Sequence, residues 1–101
     1  MNSAIESLRR DGIDAELFLL EGPTPRAIKD LADALSARPV DAVMVGAGVR
    51  LEPALSWFLE VMVNAIIRAA PGALMCFNEE PEVMDRAVRR VLLPSAEPLP
   101  W

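Results

Sequence analysis

The sequence predicts an α/β protein in which helices pack on a small parallel sheet of about three strands. Segments with helical periodicity alternate with short apolar runs, and short connections join them. This alternation is the pattern of parallel strands with right-handed crossovers. The run at residues 41–45 is apolar on both faces, as expected of a strand that helices cover on both sides. With 101 residues, of which 52% are apolar, the chain is long enough for one domain with a buried core.

Three elements are predicted in the first forty residues: a helix over residues 2–11, a strand over 14–21 and a helix over 24–37. The first helix ends at Gly12, because glycine readily takes the left-handed conformation that closes a helix. Thr24 is the expected N-cap of the second helix, and Pro25 suits its first position. That helix ends before Pro39, since the residue preceding a proline avoids helical geometry.

Four elements follow: a strand over residues 41–45, a long helix over 53–70, a strand over 73–77 and a helix over 80–92. Pro53 opens the long helix and Pro71 ends it. An apolar stripe at helical spacing supports the last helix. Residues 1–93 are therefore predicted to form a single α/β domain, and residues 94–101, which contain three prolines, a C-terminal tail.

The composition argues against several classes of function. The net charge is −5, whereas a nucleic-acid-binding surface needs a basic face. Residues 1–20 lack the charged-then-apolar order of a signal peptide. The apolar helix at 55–70 is too short to span a membrane and contains Glu60 and Arg68. Cys76 has no second cysteine to pair with, which is typical of a reducing compartment. We therefore expect a soluble cytoplasmic protein that binds neither nucleic acid nor membrane.

The segment Asp41–Leu51, DAVMVGAGVRL, resembles a group of small uncharacterised bacterial proteins with a flavodoxin-like or receiver-like α/β fold. The aromatic-rich helix that follows, with Asn64, is similar to the same pattern, as are residues 68–71 and 76–78. The resemblance covers residues 3–92. It implies a flavodoxin-like three-layer sandwich and brings no known reaction with it.

Members of that group have an additional N-terminal strand before the helix that opens this chain. In a doubly wound sheet that strand is central, so losing it exposes the edges of two strands. We expect a strand from a neighbouring subunit, a rearranged tail, or direct pairing of residues 14–21 with 41–45 to fill its position. Receiver chemistry is not expected, because Gly46 stands where the phosphoacceptor aspartate would be.

The candidate ligand site is the glycine turn Gly46-Ala-Gly48, together with Arg50 and Asn78. Ligands of parallel sheets collect at the carboxyl ends of strands, and a glycine turn lets backbone N–H groups approach an anion. A dinucleotide fingerprint needs a third glycine, but Leu51 occupies its position. The turn therefore indicates either a small anionic or nucleotide-like ligand or only a tight connection between elements.

The other polar residues near the strand ends also have two interpretations. Arg50 would bind a carboxylate or phosphate, or it would form an ion pair with Glu52 or Glu21. Asn78 would present its amide to a ligand or stabilise a local turn. Four acidic residues would either share a metal or, as we favour, cap helices and complement their dipoles: Glu21, Glu52, Glu79 and Glu80.

No catalytic residue is predicted. The chain contains neither His nor Tyr. Cys76 therefore has no His to activate it, and the serines lie in no recognisable nucleophile motif. We expect no cofactor and no resident metal.

The long helix carries polar residues at every fourth position, which form one narrow stripe: Ser56, Glu60, Asn64 and Arg68. Trp57, Val61 and Ile67 lie beside or inside that stripe. A helix packed only on its own sheet would not need these three positions to be apolar. Either a neighbouring helix or the tail covers them, or they form a subunit interface in which Trp is a favoured anchor.

Two functions follow from these patterns. The first is a non-enzymatic interaction or assembly protein that forms a homo-oligomer. The second is a domain that binds a small anionic ligand at the Gly46–Arg50 loop, with an unidentified activity.

Overall fold

The computed structural model describes residues 3–78 and 84–92. The helices within those ranges are α1 (Ser3–Arg10), α2 (Pro25–Ser36), α3 (Ala47–Arg50), α4 (Ser56–Ala69) and α5 (Met84–Leu92). A 3₁₀ turn, Pro53–Leu55, precedes α4, and the strands are β1 (Ala42–Val45) and β2 (Leu74–Phe77). The predicted start of the last helix at Glu80 and the predicted tail, residues 94–101, lie outside the described residues.

The sheet consists of β1 and β2, which pair in parallel with Ala42 opposite Leu74 and Val45 opposite Phe77. The prediction of an α/β fold with a small parallel sheet is therefore confirmed. The prediction of about three strands is wrong for the described part of the chain, where the sheet has two. The strand predicted over residues 14–21 is the third one, and these residues have no ladder partner among the described residues.

The main core cluster joins one face of the sheet to two helices. Val45 packs there with Leu31 of α2 and with Phe58, Met62 and Ile66 of α4. Residues four apart lie on one face of a helix, so this spacing turns one side of α4 inward. α2 and α4 also pack against each other.

The second pair of packed helices is α1 and α5. α5 contacts both strands, and α1 contacts α5. Arg89 of α5 fastens this pair, because its Nη2 donates to Ser7 Oγ and to Asp11 Oδ2, each at 2.7 Å. Its Nη1 donates to Asp85 Oδ2 at 2.6 Å, and this hydrogen bond lowers the pKa of Asp85.

The predicted helix ends at Gly12 and Thr24 are observed. Thr24 Oγ1 accepts a hydrogen bond from the Ala27 N–H at 3.1 Å, as an N-cap does. Gly12 has φ +84°, and the Ile13 N–H donates to the Leu8 carbonyl oxygen at 3.0 Å. Neighbouring residues therefore predict both the end of α1 and the start of α2 correctly.

Residues 13–20 belong to no helix or strand and contain no turn or bend, and we call them the unpaired segment. Arg38 holds its beginning, with Nη2 2.8 Å from Glu16 Oε1 and Nη1 3.5 Å from Asp14 Oδ2. At its other end Leu20 packs against the core cluster. No described backbone hydrogen bond joins the unpaired segment to β1, so the direct pairing considered from the sequence is absent.

Candidate functional site

The carboxyl ends of the two strands bring together most of the predicted ligand-binding residues. Gly46 follows β1 and Asn78 follows β2, at the same end because the strands are parallel. Arg50, in α3, spans both: its Nε donates to the Val45 carbonyl oxygen at 3.3 Å and its Nη2 donates to the Asn78 carbonyl oxygen. The Arg50 Cζ also lies 5.1 Å from the centroid of the Phe77 ring. Arg50 therefore joins two strand ends within the chain.

The ion pairs suggested for Arg50 are not observed. Among the described residues, Arg50 forms a salt bridge with neither Glu52 nor Glu21. Glu52 caps the following turn instead, because its Oε1 accepts a hydrogen bond from the Ala54 N–H at 3.1 Å. Two backbone carbonyls and an aromatic face take the place of a carboxylate partner for Arg50.

Neither glycine of the turn is required by backbone conformation. Gly46 has φ −68°, and positive φ occurs instead at Gly12 and Gly22. A Cβ atom at Gly46 or at Gly48 would meet nothing within 4 Å. The surface above both residues is therefore open, and a side chain would fit there.

Asn78 is buried at the carboxyl end of the sheet. It is 2% exposed, and its backbone carbonyl accepts the hydrogen bond from Arg50. Gly48, by contrast, is exposed. Two of the four predicted ligand-binding residues, Arg50 and Asn78, thus bond to each other.

The acidic residues and Cys76 are the other groups that the sequence offers for a metal site or for thiol chemistry. No group of three or more Cys, Asp or Glu side chains there is arranged to hold a metal ion. Glu79 and Glu80 lie outside that part. Cys76 is buried, with its thiol 3.7 Å from the Val43 carbonyl oxygen, and burial raises its pKa. A buried thiol with a raised pKa packs as a small apolar group.

The outward face of α4 exposes the three residues predicted to form an interface. Trp57, Val61 and Ile67 are 57%, 44% and 53% exposed. The Trp57 ring meets buried Phe58 edge-on, with centroids 5.8 Å apart. Neither a neighbouring helix nor any other described element buries them. We call these three residues, with the polar residues between them, the α4 face.

The polar residues of the α4 face carry opposite charges two helical turns apart. Glu60, Asn64 and Arg68 are all exposed, and Asn64 Nδ2 donates to the Glu60 carbonyl oxygen at 3.0 Å. Within residues 3–78 and 84–92, neither Glu60 nor Arg68 takes part in an ion pair. Their charges are therefore available to a partner.

A further exposed apolar group lies in the unpaired segment, most of which the sequence predicts to be a strand of the sheet. Leu17, Phe18 and Leu19 are 49%, 44% and 77% exposed. A cavity of about 370 Å³ lies against Phe18, Leu19 and Leu20 and reaches Ala27 of α2. The apolar run predicts a strand here, but these residues pair with no described strand.

Comparisons with protein-family models, with curated proteins and with solved structures found no match to this chain. None of the helices in the described ranges has the length and apolar character needed to cross a membrane.

Proposed function

We propose that this protein is a non-enzymatic, cytoplasmic interaction module that self-associates through the α4 face. The observation that carries the proposal is the exposure of Trp57, Val61 and Ile67 on one helix face, 57%, 44% and 53%. Exposed apolar surface beside polar residues is typical of protein–protein interfaces, and Trp is enriched among their anchor residues.

The α4 face is complementary to itself, which favours a second copy as the partner. A two-fold axis at Asn64 would place two α4 helices antiparallel. Glu60 and Val61 of one copy would then lie level with Ile67 and Arg68 of the other. Opposite charges and apolar side chains would meet at both ends of the contact, as a symmetric interface requires. A parallel arrangement would instead place like charges level with each other, which is unfavourable.

Sedimentation velocity at micromolar concentration tests this proposal. The wild-type protein should sediment as a dimer or larger species, and Trp57→Glu should shift it to monomer, because the charge would be buried without a partner. Ala34→Glu is the matched control, since it adds the same charge to an exposed position of α2 and should leave the assembly unchanged. A monomeric wild-type protein at high concentration would refute the proposal.

We further propose a finer description of the fold, a flavodoxin-like three-layer arrangement. Two observations support it. α2 and α4 supply the cluster on the Val45 face, and α5 contacts both strands without contributing to that cluster. In this arrangement both faces of the short sheet are covered, as in other parallel sheets.

A second candidate function is the binding of a small anion at the rim formed by Gly46, Gly48 and Arg50. The open surface over both glycines and the neighbouring guanidinium favour it. Titration with inorganic phosphate, followed by amide chemical shifts, should perturb these three residues first. Shifts on another surface, or none with phosphate or nucleotides, would count against this candidate.

A further inference from the structure

An open cleft of about 650 Å³, which we call the amino-end cleft, lies where both strands begin. It is lined by residues 35–41, which join α2 to β1, and by residues 69–72, which join α4 to β2. Clefts of about 300–1,000 Å³ are the usual size of small-molecule sites. The last turns of two helices therefore border one cleft of ligand size.

Both helices end in carbonyl groups that lack a donor within the helix. In α2 the N–H group that would reach the Leu35 carbonyl belongs to position 39, and Pro39 has none. In α4 Pro71 leaves the Ile67 carbonyl in the same state. No described backbone N–H group donates to five carbonyls in these last turns: Leu35, Ser36, Ile67, Arg68 and Ala69. Since each helix C-terminus carries about −0.5 elementary charge, the two ends together attract a cation.

The charged side chains in the lining of the cleft add to this negative potential. Asp41 is exposed and takes part in no ion pair among the described residues. Arg38 is the cation of the lining. Its Nη2 lies 2.8 Å from Glu16 Oε1 and its Nη1 lies 3.5 Å from Asp14 Oδ2. Because two carboxylates offset one guanidinium, the surroundings of the cleft stay acidic and favour a positively charged ligand.

The rest of the lining offers apolar surface to such a ligand. Four half-buried side chains contribute to it: Leu35, Val40, Ala69 and Ala70. Gly72 adds no side chain, and a Cβ atom there would meet nothing within 4 Å. An alkyl chain would cover this surface, whereas a bare metal ion would leave it in contact with water.

We propose that the amino-end cleft binds a small primary amine, with its ammonium group at the ends of α2 and α4 and its alkyl chain against Leu35 and Val40. An ammonium group has three donors and no acceptor, so it suits a site made of carbonyl oxygens. The Asp41 carboxylate supplies the opposite charge. This inference is independent of self-association through the α4 face.

Amide chemical shifts of the full chain test the proposal, with pentylamine at pH 7 as the probe. Pentylamine should perturb residues 35–41 and 69–72 first, with a dissociation constant on the order of a few millimolar. 1-Pentanol has the same alkyl chain without the charge, and calcium chloride supplies a cation without the chain. Each of these two controls should bind at least about tenfold more weakly than pentylamine.

Paired variants check the location. Asp41→Asn should weaken pentylamine binding about three- to fivefold, as expected for an exposed ion pair, whereas Glu6→Gln removes the same charge from an exposed position of α1 and should have no effect. Gly72→Lys places a competing ammonium group in the open space of the cleft and should weaken binding at least about tenfold. Gly48→Lys adds the same charge at another open position and should leave binding unchanged.

Several results would overturn the proposal. Equal binding of 1-pentanol would show that the cleft is only an apolar surface. Tighter binding of calcium, shifts confined to another surface, no binding of pentylamine, or equal effects of Gly72→Lys and Gly48→Lys would also contradict it. Nα-acetyl-lysine methylamide presents the same ammonium group as a partner protein would. If it bound at least about tenfold more tightly than pentylamine, the occupant would be a protein side chain and not a small amine.

Discussion

The guanidinium of Arg50 donates a hydrogen bond to the backbone carbonyl of Asn78 and so ties the helix after β1 to the end of β2. The same group donates to the Val45 carbonyl at 3.3 Å. A two-stranded sheet has few ladder bonds, and this side chain adds two connections at its carboxyl end.

We predict that Arg50→Ala lowers the free energy of unfolding by about 1–2 kcal/mol, toward the lower part of the range for hydrogen bonds to charged groups, because Arg50 is only partly buried. Urea unfolding followed by circular dichroism measures it. Arg26→Ala is the control, since Arg26 is exposed in a 3.8 Å ion pair with Asp30 and should change stability by less than about 0.5 kcal/mol. Equal effects of the two substitutions would contradict the bridging role of Arg50.

Ile66 and Ile67 are adjacent in α4 but point in different directions, with exposed fractions of 2% and 53%. Ile66→Ala should reduce the free energy of unfolding by about 2–5 kcal/mol, because it leaves a cavity in the core cluster. Ile67→Ala should change the stability of the monomer by less than about 0.5 kcal/mol and should weaken self-association. Urea unfolding at low protein concentration and sedimentation at high concentration separate the two effects. A stable Ile66→Ala protein would show that the core is elsewhere.

Gly12 and Gly48 differ in backbone conformation, so replacing each by alanine should change the stability of the fold differently. Gly12 has φ +84°, and Gly12→Ala should cost about 1–2 kcal/mol of stability, the penalty for a left-handed alanine. Gly48 has no positive φ and open space around its Cα, so Gly48→Ala should be neutral or stabilising by about 0.5 kcal/mol. Thermal unfolding of both variants measures the difference. Destabilisation by Gly48→Ala would mean that the turn requires glycine after all.

The Arg89–Asp85 hydrogen bond makes stability depend on pH. The folded-state pKa of Asp85 lies below its ordinary value. The ionised carboxylate therefore stabilises the fold fully at pH values above that ordinary value, ~4. This stabilisation is lost as the pH falls through the lower folded-state pKa. Asp85→Asn should therefore have a lower urea midpoint than wild type at pH 7, and the difference should shrink toward pH 3. A difference between the two proteins that stays constant over this range would contradict the prediction.

The sequence predicts those features that depend on neighbouring residues. The N-cap at Thr24, the helix end at Gly12 and the exposed polar stripe of α4 follow from local chemistry and periodicity, and all are observed. The apolar run at 41–45 likewise becomes a strand.

The features that the sequence misses depend on distant partners. Arg50 bonds to a carbonyl 28 residues away, and Arg89 to a carboxylate 78 residues away, so no local pattern reveals either pair. The strand predicted at 14–21 has the correct composition, but a strand also needs a neighbour to pair with. Composition therefore indicates a tendency to pair, and only the arrangement in space decides whether pairing occurs.

Charge reversal on the α4 face tests the central claim, antiparallel self-association, most directly. Sedimentation equilibrium at low salt gives the dimer dissociation constant for wild type, Glu60→Arg, Arg68→Glu and the double variant. Each single reversal brings like charges level across the two-fold axis and should weaken the dimer about five- to tenfold, about 1–1.4 kcal/mol. The double variant restores opposite charges and should return to within about threefold of wild type. A double variant as weak as the single variants, or a wild-type protein that stays monomeric, would contradict the account.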